Sequence, residues 1–315
     1  CIRNFSCNLL YPACVGYFYV LPKVFSDRIM NNRKSLSIYY SFFRHHLFYP
    51  LISVLVALSI CLSSALPSQA FDWVPLIFQG VQALQLSNMS DRQEVEIGKQ
   101  INQQLLNTDV RLYRDANINR YVQQIGQRLV ANSDRPKLPF TFQVIDDDSI
   151  NAFATLGGFV YLNTGLIEAA ENEAELASVM AHEIGHIGGR HLIKQMRQKA
   201  IDEGLLTAAG LDRSKVVQIG YQLARNLPGS RKHEFDADKR GLATLTRTGY
   251  SQTAMVSFMQ KLVKKGSVPA FLSTHPAIGD RIDAIKKAIN TQPNNGNYGL
   301  DSSTYKTNIQ ALLRS

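Results

Sequence analysis

Apolar positions follow three rhythms along this chain. From Leu47 to Leu62 they run almost unbroken (LFYPLISVLVALSICL). From Ser90 onward they recur every three to four residues. Ile97, Ile101, Leu105 and Leu106 form one stripe, and Ile118, Val122, Ile125 and Leu129 a second, the spacing of amphipathic helices. Ser90 with Gln93 predicts a capping box for the first of these, and Asp115 opens the other. A polar turn follows at Asn132-Ser133-Asp134-Arg135-Pro136. From Phe140 to Ile145 (FTFQVI) the rhythm becomes an alternation, the period of a strand. Asn151–Thr155 and Phe159–Asn163 read as two further short strands around a Gly157-Gly158 turn. Beyond Thr164 the helical period returns. One helix runs through Ala181 to about Ile187, with acidic residues crowding its first turn, where the helix dipole favours them. Others are predicted at 191–203, 213–226, 231–247 and 252–264, and one after Gly279. Residues 291–304, rich in Asn, Gly and Ser, read as a linker or tail, and Tyr305–Leu313 as a small amphipathic helix. The predicted class is α+β, predominantly helical, with a small sheet. The domain reading is an N-terminal helical segment at 71–139, a core at 140–290 and a polar tail with a short helix at 291–315.

The front of the chain follows different rules. Arg33, Lys34 and Arg44 flank the apolar run, and the small-residue stretch Ser68-Gln69-Ala70 follows it. Basic flank, apolar run and small residues, in that order, are what a signal peptidase requires. Residues 30–70 are therefore read as a signal peptide cleaved after Ala70, with a retained signal anchor as the alternative. The run is short for a membrane span of about 20 residues. Met30 directly precedes the basic flank, so residues 1–29 are read as lying upstream of the natural start. Extracytoplasmic location follows, periplasmic or secreted, with membrane contact only through this segment if it is retained. Cys1, Cys7, Cys14 and Cys61 all precede the proposed cleavage site. The mature chain then has neither a disulfide framework nor a thiolate metal site.

Charge narrows the function classes. The formal net charge of the 315 residues is +9, yet the first 70 hold much of the excess: six of the 34 basic residues against one of the 25 acidic ones. The remaining Lys and Arg are scattered, with no arginine-rich run, which argues against nucleic acid as a partner.

One motif carries chemistry: His182-Glu183-Ile184-Gly185-His186. Residues four apart share a helix face, so both imidazoles can reach one metal ion while Glu183 stands beside them to polarise water. A catalytic zinc takes a third protein ligand. His191 is one option, but the pattern HExxHxxGxxH needs its last His where Leu192 stands. His191 is thus read as a structural or helix-start residue. The other option is Glu234, in the helical segment RKHEFDAD, where Glu234 and Asp238 share a face and His233 and Asp236 point to other, solvated faces. Asp238 is placed to accept a hydrogen bond from a ligating imidazole.

HEIGH followed by EFDAD resembles the HtpX- and BepA-like metallopeptidases, relatives of the CAAX prenyl proteases. The resemblance also covers Asn151-Ala152-Phe153-Ala154, Gly157-Gly158-Phe159-Val160-Tyr161, Gly165-Leu166, Ser273-Thr274-His275-Pro276 and Arg281, or roughly 90–290. It implies a gluzincin-type fold, with a three- to four-stranded sheet packed on the active-site helix. It implies one zinc per chain on His182, His186 and Glu234, with Glu183 as general base. It also implies that His275 faces the site, as a reversible extra zinc ligand or as a donor to the oxyanion. A Thr-His-Pro turn is the plainer reading of His275, and a salt bridge that of Arg281. Asn151, Ala152, Phe153 and Ala154 form a plausible edge for binding an extended peptide by main-chain pairing. The expected activity is endopeptidase action on extended or unfolded protein segments in envelope quality control. A zinc-bearing chaperone or binding module with gated, weak proteolysis is the alternative. The resemblance falls to a single-domain branch: only one apolar run is present, and the residues after 290 are too few for a helical-repeat domain.

Overall fold

Ser90 opens the first long helix with the predicted capping box. The Gln93 amide donates to its hydroxyl at 3.3 Å, and the Ser90 amide donates to the Gln93 side chain at 3.0 Å. The structure, a computed structural model, describes residues 54–55, 85–205, 210–226, 230–264, 269–293 and 296–314. The proposed signal segment apart from Val54 and Leu55, its cleavage site and residues 1–29 lie outside the described residues. The chain divides into two compact units, Cys1–Phe71 and Asp72–Ser315; in the first, only Val54 and Leu55 are described. Among the described residues no helix is long and apolar enough to cross a membrane.

In the second unit, helix α1 (Asp91–Thr108) buries Ile97, Ile101 and Leu105, and helix α2 (Ala116–Val130) buries Ile118, Val122, Ile125 and Leu129. These are the stripes the sequence predicts. Asp115 caps α2 by accepting from the amides of Asn117 and Ile118, each at 2.9 Å. The sheet comprises β1 (Thr141–Ile145), β2 (Ala152–Ala154) and β3 (Phe159–Asn163) in the order β1-β3-β2. β1 runs parallel to β3 with Thr141 opposite Phe159, and β2 antiparallel with Ala152 opposite Leu162. Leu112 adds a bridge to Ile145 on the far side of β1, so β2 is the edge strand. Gly157 and Gly158, at φ of +74° and +93°, make the turn between β2 and β3. Left-handed backbone of this kind favours glycine.

The remaining elements are helical. α3 (Thr164–Ala169) leads into α4 (Glu173–Gly188), which is followed by α5 (His191–Asp202), α6 (Arg213–Asn226), α7 (Arg231–Thr248), α8 (Thr253–Lys264), α9 (Ala270–Thr274), α10 (Ile278–Thr291) and α11 (Ser302–Asn308). α4 is apolar on nearly every side because it runs through the core, burying Leu176, Ala177, Met180 and Ala181. Its closest neighbour is α7. A Cβ at Gly185 would stand 2.6 Å from the Ala237 carbonyl oxygen, and one at Gly241 would stand 3.1 Å from that of Ala181. Backbone therefore meets backbone at this crossing.

Two stretches are tied into the fold by contacts between distant residues. Gly299 anchors the stretch read as a linker or tail, and the segment read as a small amphipathic helix follows it. The Ala174 amide donates to the Gly299 carbonyl at 2.9 Å, and the Tyr305 hydroxyl donates to the Ile167 carbonyl at 2.6 Å. Tyr305, Ile309 and Leu312 are buried in the same core as α4. These three anchors are apolar positions of the amphipathic segment read at 305–313. In the 71–139 segment, α1 lies against the Leu156–Gly158 turn: a Cβ at Gly98 would meet the Leu156 oxygen at 2.1 Å.

Candidate metal centre

Asn172 caps α4 by accepting from the Glu175 amide at 3.0 Å. The helix then continues unbroken through Gly188, which puts His182 and His186 one turn apart on one face. Ser230 caps α7 through the His233 amide at 3.3 Å, with Glu234 in the first turn. The close crossing at Gly185 and Ala237 brings the Glu234 carboxylate to the two imidazoles. His275, directly after α9, adds a third.

The donor atoms crowd together. His182 Nε2 lies 3.0 Å from His186 Nε2, and Glu234 reaches the same two nitrogens at 3.3 Å through Oε2 and 3.4 Å through Oε1. His275 Nδ1 is 3.3 Å from His182 Nε2 and 3.1 Å from Glu234 Oε2. All four ligand atoms fall within 4.8 Å of one another. Ligands about 2.0–2.1 Å from a tetrahedral zinc stand about 3.3 Å apart, so these separations fit a single ion. Glu234 Oε1 and Glu183 Oε1 are buried and accept no hydrogen bond among the described residues, their imidazole neighbours, His186 Nε2 and His275 Nε2, each standing 3.4 Å away. Buried carboxylate oxygens without partners are costly, and a cation between the donors would satisfy that of Glu234.

Electrostatics follow from burial and charge. Burial opposes a proton on His182, as does Arg281, but hydrogen bonds to Asp238 and Glu234 raise its pKa to about 9. Burial drives His186 well below its ordinary value. Burial also pushes the Glu183 carboxyl up, against the pull of His275 and His182. Glu234 feels the same upward push, yet hydrogen bonds from His182 and His275 hold it far below the usual carboxylate range. One carboxyl is thus biased toward carrying a proton and its neighbour toward charge.

Both histidines of the motif are held from behind. His182 Nδ1 lies 2.8 Å from Asp238 Oδ1, so His182 is the imidazole that Asp238 meets. Arg281, fully buried on α10, grips Asp238 through Nε and Nη2 at 2.7 Å each and reaches Glu234 through Nη1 at 2.9 Å. It forms a salt bridge, but one inside the site. His186 Nδ1 is 3.0 Å from His191 Nδ1, and His191 Nε2 is 2.9 Å from Asp236 Oδ2. Asp236 therefore does not simply point to solvent, and His191 does more than start α5. The left-handed Arg190 (φ +51°) turns the chain between α4 and α5. Its guanidinium donates to the Met89 carbonyl at 2.8 Å and pairs with Asp91.

β2 runs along the cleft. Phe153 and Ala154 line it together with Glu183, His186, Leu192 and Leu223, and the Ala152 carbonyl lies 3.5 Å from His275 Nε2. Asn151 stands apart from the other three edge residues. Its carbonyl accepts from Asn163, and its side chain accepts from Thr274 at 3.4 Å, which ties the start of β2 to the His275 segment.

The sequence profile of peptidase family M48 matches residues 116–289, more than half of the chain and all of this donor set. The chain belongs to peptidase family M48. Among curated M48 relatives, the beta-barrel assembly-enhancing protease of Escherichia coli (strain K12) is 33% identical over 225 residues, covering 66% of this chain and 46% of that protein. The mitochondrial metalloendopeptidase OMA1 of Schizosaccharomyces pombe is 31% identical over 174 residues, covering 53% of this chain and 52% of its own. The metalloprotease LoiP of Escherichia coli (strain K12) is 25% identical over 245 residues, covering 74% and 95%. The chain spans less than half the length of the assembly-enhancing relatives it matches. Within the M48 chain, His191 and Asp236 are the site neighbours that sequence reasoning set aside, while Arg281, covered by the resemblance, makes the salt bridge read for it. The signal for His191 and Asp236 is position alone: each lies a few residues from a donor, on an element whose orientation the periodicity leaves open.

Proposed function

We propose that this chain is a zinc-dependent endopeptidase acting on extended or unfolded protein segments outside the cytoplasm. The observation that carries this reading is the cluster of His182, His186, Glu234 and His275, whose ligand atoms all lie within 4.8 Å of one another, beside the buried Glu183 carboxylate. His182, His186 and Glu234 hold the ion. Bound zinc supplies Lewis-acid polarisation of a carbonyl and lowers the pKa of water to about 7. Glu183, its pKa raised by burial, takes the proton from the attacking water and hands it to the leaving amine. Asp238 keeps His182 in the tautomer that leaves Nε2 free, and Arg281 keeps Asp238 ionised. The β2 edge, Ala152–Ala154, pairs with the main chain of an extended substrate.

Location rests on the basic flank, apolar run and small residues before Ala70, and fractionation of cells expressing the full chain tests it. The relatives named for β-barrel assembly suggest envelope protein quality control as the setting. Glu183→Gln is expected to abolish casein-type proteolysis while leaving about one zinc per chain, whereas Glu234→Ala lowers zinc occupancy. Near-normal cleavage by Glu183→Gln would remove the general-base role.

A second reading has its own observation. His275 sits within ligand distance of His182 and Glu234, which suits a zinc-bearing binding module whose proteolysis is gated and weak.

A further inference from the structure

We propose that His191 and Asp236 form a positioning relay that fixes the tautomer and orientation of His186 for metal binding; this rests on the zinc-site reading above. An imidazole that gives Nε2 to a metal carries its proton on Nδ1 and needs an acceptor there. For His182 that acceptor is Asp238 Oδ1 at 2.8 Å. For His186 the atom in reach is another imidazole nitrogen, Nδ1 of His191, at 3.0 Å. A carboxylate only accepts. The 2.9 Å contact between His191 Nε2 and Asp236 Oδ2 therefore puts the His191 proton on Nε2 and leaves a lone pair on Nδ1, facing His186. Protons then run one way: His186 Nδ1 donates to His191, and His191 Nε2 donates to Asp236. The opposite order would place a proton on His186 Nε2, the nitrogen that faces His182 and Glu234.

The surroundings are built to hold this ring still. His191 is buried, and His233 stacks on it with centroids 4.4 Å apart and planes 6° from parallel. A Cβ at Gly189 would stand 2.2 Å from His191 Nε2, so the ring fills the space that a side chain at 189 would need. Asp236 is fixed in turn by Arg240 Nε at 2.7 Å, and Arg240 reaches Asp134 at 2.5 Å. The spacing that disqualifies His191 as a direct ligand is the spacing that lets it stand behind His186. The two motif histidines thus receive different supports, a carboxylate for His182 and a neutral imidazole backed by a carboxylate for His186.

Competition between the full chain and a chelator for zinc tests the relay, with circular dichroism and unfolding of the zinc-free variants as the control for folding. His191→Leu removes the acceptor at similar volume and is expected to weaken zinc about 10–100-fold. His191→Asn places an oxygen where Nδ1 stood and should recover most of that loss. Gly189→Ala displaces the ring with every polar partner present and should weaken zinc in the same direction; it decides the matter if His191→Leu does not fold. Absorption of the cobalt-loaded chain should change in His191→Leu and return toward the parent spectrum in His191→Asn. The relay is overturned if His191→Leu or a folded Gly189→Ala binds zinc as tightly as the parent, or if His191→Asn is as weak as His191→Leu. A parent chain that binds no zinc overturns the zinc-site reading and the relay together, so the two failures are distinguishable.

Discussion

Arg281 and Glu234 meet at 2.9 Å with neither side chain exposed to solvent. The same guanidinium pairs with Asp238, so one cation serves two buried carboxylates. Removing one partner of a buried pair costs about 3–5 kcal/mol, because it strands the other charge. A dication bound beside Glu234 offsets part of that cost. Arg281→Met is therefore expected to lower the unfolding midpoint of the zinc-free chain more than that of the zinc-loaded chain. Thermal unfolding with and without chelator measures both, and equal losses would mean that Arg281 contributes packing alone.

His275 separates the gated reading from the directly catalytic one. Its Nδ1 stands at ligand distance from His182 and Glu234, which favours a fourth coordinating position. His275→Ala is then expected to raise basal cleavage of a short peptide. A fall of about 10²–10³ with unchanged zinc affinity would instead identify a donor to the developing oxyanion.

Acidity gives a third expectation. In the metal-free chain His182 has a pKa of about 9 against an ordinary 6.5. A raised pKa stabilises the fold below pH 6.5, and that contribution is lost as pH rises through 9. Zinc requires the neutral imidazole, so below pH 9 its binding expels this proton. The stabilisation by zinc should therefore grow as pH rises toward 9, about tenfold in apparent affinity per pH unit. Chelator competition at several pH values measures the slope, and a flat profile would show that His182 is already neutral in the metal-free chain.

Much of the scaffold was legible because local rules set it. The Ser90 capping box, the α2 stripe and the Phe159–Asn163 strand depend on neighbours within a few residues. A contact from Asp238 to a ligating imidazole was legible from its place one turn after Glu234, but which of the two histidines it meets was not. Long-range contacts were not. Arg281 reads as one half of a salt bridge, but its partners and its burial emerge only once α10 is packed. Tyr305 lies in a polar stretch, and nothing local announces that its hydroxyl meets Ile167. His191 failed a spacing rule for direct ligands, a rule silent about residues that act through a ligand.

Gly185 provides a fourth test. A Cβ there would meet the Ala237 carbonyl at 2.6 Å, and backbone cannot swing aside as a side chain can. Gly185→Ala must push α7 outward, and with it Glu234 and Asp238. A loss of about 1–3 kcal/mol in stability is expected from such overpacking, together with weaker zinc binding. Unchanged zinc affinity in Gly185→Ala would show that the donors do not depend on this crossing.

That crossing also changes how the HEIGH pentapeptide can be used. Its fourth letter names no ligand and no base, yet in this chain it marks the place where the second helix lies, because only a residue without a side chain lets a peptide carbonyl approach so near. The same constraint recurs on the partner helix at Gly241, facing Ala181. Two glycines far apart in the chain thus act as the two halves of an address, fixing which helix is to deliver the third donor and at what depth. In a relative whose third ligand is unassigned, a pair of small residues in matching positions would be the feature to search for before any acidic residue is chosen.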